Sequence, residues 1–118
     1  MGRVSFAPLV ICAIAASASA QPVSTVATYC VVEDFPAIYF SPVFAHPYGK
    51  GGAASEEFRN YVAARHKLVN VRAYCEGSNS TTPAGLRIAE QDRLELMKFK
   101  QANTKYGKPV EVDWKPGK

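Results

Sequence analysis

The sequence predicts an α+β domain: a four-stranded, mainly antiparallel sheet in ββαβαβ order, with two helices packed on one face and one disulfide. Three observations predict it. Period-two alternation marks strands at 25–32, 37–44, 70–76 and 110–115. Apolar stripes at helical spacing mark helices at 56–68 and 83–102. Two cysteines, Cys30 and Cys75, fall in the first and third of these strands. A chain of 118 residues allows one small domain, and 47% hydrophobic with 20% charged residues is the composition of an ordinary folded protein. A multidomain enzyme and a disordered tail are both excluded.

Residues 1–20 have the three parts of a secretory signal peptide. Arg3 is the lone positive charge, 6–16 is an apolar run broken by Pro8, and Ala18-Ser19-Ala20 is a small-x-small cleavage site. The run falls short of the roughly 20 apolar residues that span a bilayer, so no transmembrane segment is expected once the leader is cleaved. Cys12 leaves with it, and Ile11 is too bulky for the position before a lipidated cysteine. The predicted mature domain is 21–118, periplasmic or secreted. In that oxidising setting Cys30 and Cys75 are most simply one disulfide. Closing that loop is worth roughly 4 kcal/mol on the chain-entropy argument. No metal site or cofactor is expected, because neither His46 nor His66 stands at ligand spacing to a cysteine. Of 14 basic residues Arg3 goes with the leader, leaving 13 against 10 acidic ones. They are spread along the chain, so nucleic acid is not an expected partner.

Each element has its own justification. Val26, Thr28, Cys30 and Val32 share one face of the first strand, with Ala27, Tyr29 and Val31 on the other. Glu33-Asp34-Phe35-Pro36 turns the chain into a second strand with Ile38, Phe40 and Phe44 on one face. Pro42 there lacks an N–H and marks an edge or bulge. Residues 46–54, with Gly49, Gly51 and Gly52, read as a flexible surface loop whose spacing matches no phosphate-binding motif. Ser55 is the expected N-cap of the first helix, with Glu56 and Glu57 in its first turn and Phe58, Tyr61, Val62 and Val69 on one face. In the third strand Val71, Ala73 and Cys75 alternate with Arg72, Tyr74 and Glu76. Thr82 before Pro83 is an N-cap with proline at the first helical position. The second helix buries Leu86, Ala89, Leu96 and Met97, and Val110, Val112 and Trp114 form the inward face of the last strand.

With both helices on one face, the other sheet face is open. It is expected to present Tyr29, Tyr39 and Tyr74 from three strands, beside Ser41, Arg72 and Asp113. Aromatic faces stack on sugar rings while charged groups supply hydrogen bonds. Tyrosine is also a favoured strand residue, and cross-strand aromatic pairs stabilise a solvated face without any ligand, which is the commoner role of such a set. Arg65 and Arg93 lie near the centre of the helix stripes, where a charge must snorkel or find a partner such as Glu90. No residue is assigned a catalytic role: there is no nucleophile elbow and no HExxH motif. His46 and His66 are the one acid–base pair to consider. Asn79-Ser80-Thr81 has the form of a glycosylation sequon, with loop and cap chemistry as its other use.

Tyr29-Cys30, the run Tyr39-Phe40-Ser41-Pro42-Val43-Phe44, Phe58 and Val62, Cys75, Ala89 and Arg93, then Val112-Asp113-Trp114-Lys115-Pro116 resemble small exported proteins of Gram-negative bacteria of unassigned function. The resemblance covers most of the mature chain. It implies a periplasmic or secreted location with the two cysteines paired, and no activity. In architecture the chain is also similar to the SPOR domain, which binds peptidoglycan glycan strands, although that family's order is βαββαβ and no residue transfers. The expected function is a non-enzymatic envelope module that binds a cell-wall glycan or an envelope protein on the open sheet face. The alternatives are a small secreted hydrolase using His46 and His66, and a protein-interaction or inhibitor module using the loop 46–54.

Overall fold

In the computed structural model, which describes residues 24–103 and 105–117, the chain is organised around its first strand. The leader expected at 1–20 lies outside the described residues. In chain order the elements are β1 (Thr25–Asp34), β2 (Ala37–Phe40), β3 (Phe44–Pro47), α1 (Gly51–His66), β4 (Arg72–Asn79), α2 (Pro83–Asn103) and β5 (Val110–Glu111). The α+β class and the ββαβαβ order hold, with the expected second strand split into β2 and β3. β1 pairs antiparallel with β4 on one side and with β2 and β3 in succession on the other. β5 runs parallel to β2, pairing Tyr39 with Val110 and Phe40 with Glu111, so the sheet is mixed.

Six consecutive residues of β1, from Ala27 to Val32, are buried. A strand buried on both faces needs a layer over each. Cys30 and Val32 pack with Ala54, Phe58 and Val62 of α1, together with Phe44 and Trp114. Tyr29 and Val31 pack on the opposite side with Ile38 and Phe40, against Leu96 and Met97 of α2. The expectation of two helices on one face is therefore corrected: there is one helix on each face, and the disulfide lies under α1 alone. Cys30 and Cys75 are bonded directly across the β1–β4 pairing, with Cα atoms 3.9 Å apart. An intramolecular disulfide accords with an oxidising compartment.

The register of β2 also departs from expectation. Val32 faces Tyr39 and Val31 faces Phe40, whereas Thr28 faces Phe44, so one extra residue is inserted near Ser41. The insertion reverses the parity of the strand. Ile38 and Phe40 thus face α2, and Phe44 faces α1. The Ser41 N–H donates to the Cys30 carbonyl (2.9 Å), and the Cys30 N–H donates to Ser41 Oγ (2.8 Å). Pro42, which cannot donate to a ladder, sits where the strand breaks.

Arg93, 6% exposed, holds this bulge from α2. Its Nε donates to the Ser41 carbonyl (2.7 Å), one terminal nitrogen donates to Glu111 Oε1 (2.9 Å), and the guanidinium lies 5.9 Å from the Phe40 ring centroid. The partner is Glu111, not Glu90. Arg65 lies on the exposed side of α1, over the ring of Tyr61.

Other boundaries shift for local reasons. α1 begins at Gly51, so most of the expected loop 46–54 is the end of β3, a tight turn and the first helical turn. Ser55 is not the N-cap: its hydroxyl donates to the Gly52 carbonyl within the helix. Glu57 instead accepts the N–H of Gly117 (2.6 Å), tying down the C-terminal tail. β4 starts two residues later than expected and continues through Gly77, whose φ of +98° accompanies a register shift opposite Ala27 and Tyr29. α2 starts as expected, with Gly85 N–H donating to Thr82 Oγ1 (3.2 Å). Its buried stripe is Gly85, Ala89 and Arg93, leaving Leu86 exposed. The last strand is only Val110–Glu111, although Val112 and Trp114 still turn inward.

Arg93→Met should lower stability by about 1–3 kcal/mol in urea unfolding, because the buried Ser41 carbonyl loses its charged donor. Arg93→Lys should recover only part of the loss, since one ammonium cannot reproduce the fork that joins Ser41 to Glu111. A Cβ at Gly85 would collide with the Ser80 carbonyl oxygen, whereas one at Gly51 meets no neighbour. Gly85→Ala should thus cost about 1–3 kcal/mol by overpacking, with Gly51→Ala neutral or better in the same assay.

Candidate functional site

The six residues expected on one open face are not brought together. Tyr29 is 1% exposed and lies under α2. Tyr39, 6% exposed, is on the α1 side, where its ring packs against His66 at 4.7 Å between centroids. Ser41 is fully buried in the bulge. Asp113 is exposed beyond β5, at the sheet edge remote from β4. Only Tyr29, Arg72 and Tyr74 share a face, because Tyr29 pairs with Glu76, Val31 with Tyr74 and Glu33 with Arg72. The one-residue register difference at β2 separates Tyr39 from the others, and the second helix layer removes the open face.

The structure instead has a cleft of about 520 Å³ between α2 and β4, with Tyr29 and Tyr74 in its floor. Its rim carries Glu76 from β4 and Asp92, Glu95 and Phe99 from α2. Asp92, Glu95 and Phe99 recur at the i, i+3, i+7 spacing that places side chains on one helix face. That spacing is present in the sequence, but it puts two carboxylates and one aromatic on a face with no apolar stripe to mark it. Phe99 is 53% exposed.

Two acid–tyrosine pairs shape the cleft. The Tyr29 hydroxyl donates to Asp92 Oδ2 at 3.2 Å, and burial together with the Asp92 charge pushes its pKa well up. The Tyr74 hydroxyl donates to Glu33 Oε2 at 2.9 Å, and burial and that hydrogen bond raise its pKa in the same way. Both phenols are therefore neutral donors at physiological pH and are unsuited to act as nucleophiles or bases. Lys100 Nζ lies 2.8 Å from Glu33 Oε2. Burial alone would raise the Glu33 pKa, but the bonds from Lys100 and Tyr74 outweigh it and the net shift is downward. The remaining carboxylates make the rim negative.

A second cleft, of about 530 Å³, lies at the other edge between α1 and β5, where Arg65 and His66 face Glu111 and Asp113. The proposed His46–His66 pair is not formed. His46 Nε2 is 2.8 Å from the carbonyl of Lys50, the residue that precedes α1, while His66 is the last residue of that helix. Sixteen helical residues separate the two ends by about 24 Å. Among the described residues, no group of His, Cys, Asp and Glu is placed to hold a metal ion, and no helix is long and apolar enough to cross a membrane. No protein-family model, curated protein or solved structure matches the chain.

The Glu33 pKa lies below the ordinary value of 4.5, so its interactions contribute stability above that value and lose it as the pH falls through the folded-state pKa. Glu33→Gln should be less stable than wild type at pH 7 and show a shallower decline below about pH 5. Urea midpoints measured across the acid range check this. Parallel acid profiles for the two proteins would show that the Glu33 cluster is not responsible.

Proposed function

We propose that the protein is an exported, non-enzymatic binding module of the bacterial envelope, periplasmic or secreted, and that it takes a cell-wall glycan in the cleft between α2 and β4. The observation that carries this reading is the convergence of Tyr29, Tyr74 and the half-exposed Phe99 with the carboxylates of Glu76, Asp92 and Glu95. A sugar ring offers an apolar face for Phe99 and hydroxyl donors for the carboxylates, and charge-assisted bonds of that kind are the stronger class. The negative rim favours hydroxyl- and ammonium-bearing ligands and opposes phosphate-rich polymers. The Cys30–Cys75 disulfide supports an oxidising location.

Co-sedimentation with purified peptidoglycan sacculi tests the reading. Phe99→Ala and the double variant Asp92→Asn, Glu95→Gln should each reduce bound protein at least tenfold. All three positions are exposed, so the melting temperature should stay within a few degrees of wild type. Sacculi that retain neither wild type nor variants, or that retain all of them equally, would overturn the assignment.

A further inference from the structure

β4 is an edge strand. Among the described residues it pairs only with β1, and its outer side has no strand against it. Which backbone groups point outward follows from the other side of β1. Both the N–H and the C=O of Cys30 bond to Ser41, away from β4. Cys30 and Cys75 therefore form a non-hydrogen-bonded pair, and their 3.9 Å Cα separation agrees. In an antiparallel ladder the orientation alternates, so Arg72, Tyr74 and Glu76 bond inward to β1. The N–H and C=O groups of Ala73 and Cys75 point to the open edge.

The side chains along this edge form a mirror pattern. Arg72 and Glu76 stand two residues either side of Tyr74, on the same face, and both are exposed. Within one molecule they are about 14 Å apart along the strand, too far to pair. Directly across β1, Arg72 faces Glu33, whose carboxylate is already engaged by Lys100 and Tyr74.

We propose that β4 pairs edge to edge with β4 of a second copy, antiparallel and centred on Tyr74, so that two sheets become one. In this register Ala73 of one copy faces Cys75 of the other. Their outward N–H and C=O groups then exchange hydrogen bonds on both sides of the axis. Tyr74 meets its counterpart on the two-fold axis as a non-hydrogen-bonded pair, the closer of the two kinds. Arg72 of each copy then stands directly opposite Glu76 of the other, giving two symmetric ion pairs. Sliding the register by two residues keeps the backbone bonds but loses both ion pairs, so charge selects a single register. Edge strands that must remain alone carry proline, bulges or charges with no opposite partner across the seam. The 72–76 run has no proline and is self-complementary. Phe99, beside Tyr74 on α2, adds apolar surface next to the seam. The axis is normal to the sheet, so both α2 layers lie on the same side. This inference does not rest on the ligand assignment, because association is measured without any ligand.

Sedimentation velocity on the oxidised 21–118 chain, from micromolar to millimolar concentration, tests it. Wild type should show a reversible monomer–dimer equilibrium that weakens with salt. Arg72→Glu or Glu76→Arg alone places like charges opposite one another twice and should weaken the dimer about tenfold or more. The double reversal Arg72→Glu, Glu76→Arg should restore it. Mixing the two single variants should give a heterodimer tighter than either homodimer, since one strand is then all acidic and the other all basic. Glu76→Gln, which is isosteric, should also weaken the dimer and keeps the test informative if a reversal perturbs folding. A wild type that stays monomeric throughout, or a dimer indifferent to both reversals, would overturn the proposal.

Discussion

Ser41 is the residue on which the rest of the structure depends. It satisfies both backbone groups of Cys30, one with its own N–H and one with its hydroxyl oxygen, and it presents its carbonyl to the buried Arg93. A strand interrupted by a proline would ordinarily leave polar groups of its neighbour unpaired in the core, each costing about 1–3 kcal/mol. The serine hydroxyl supplies the missing partner, and the bulge it creates turns the strand over. Ile38 and Phe40 can then serve the core under α2 while Phe44, four residues on from Phe40, serves the core under α1. Arg93 carries the same point into the helix layer and on to Glu111 in β5, so one buried cation joins three elements.

Much of this architecture was legible in the sequence. The strand and helix order and the Thr82–Pro83 start of α2 follow from spacing and local chemistry, and the pairing of Cys30 with Cys75 from their being the two cysteines outside the leader. The placement of the helices has its signal in the sequence too, but not in the alternation pattern. The segment Ala27 to Val32 contains no charged residue at either parity, and a strand apolar on both faces calls for two covering layers. Alternation alone puts the tyrosines on whichever face the helices leave open, and with both helices on one side that face is solvated. Tyr29 instead buries its ring and Tyr74 half-buries its own, and they direct the hydroxyls to Asp92 and Glu33, residues far away in sequence. The parity change at Ser41 depends on a hydrogen bond to Cys30 that no local pattern announces. For that reason Tyr39 was assigned to the face opposite the one it occupies.

The layer under α2 is more polar than the layer under α1. Under α1, Phe58 and Phe44 pack against Trp114 with ring centroids 4.9 and 5.5 Å apart, and the contacts are largely apolar. Under α2 the stripe facing the sheet is Gly85, Ala89 and Arg93, followed by Leu96, Met97 and Lys100, and small or charged residues cannot fill the space a leucine stripe would fill. Acid–tyrosine pairs and the Lys100–Glu33 contact occupy its margin instead. A helix held by polar contacts at its rim and thin apolar contact beneath leaves room beside the sheet for the cleft lined by Tyr29 and Tyr74.

The same hub determines what the free edge of the sheet presents. Because Ser41 takes both backbone groups of Cys30, the ladder between β1 and β4 must place Cys30 opposite Cys75 without hydrogen bonds, and the disulfide closes at that position. The phase of the whole of β4 is thereby set: Arg72, Tyr74 and Glu76 bond inward, and Ala73 and Cys75 bond outward. A bulge buried on one side of β1 thus dictates which groups are exposed on the far side of its neighbour. The covalent link keeps β4 from slipping, since a one-residue shift would carry Cys75 to the opposite face. A partner at this edge therefore meets side chains and backbone in one fixed arrangement, so little ordering cost is left for binding there.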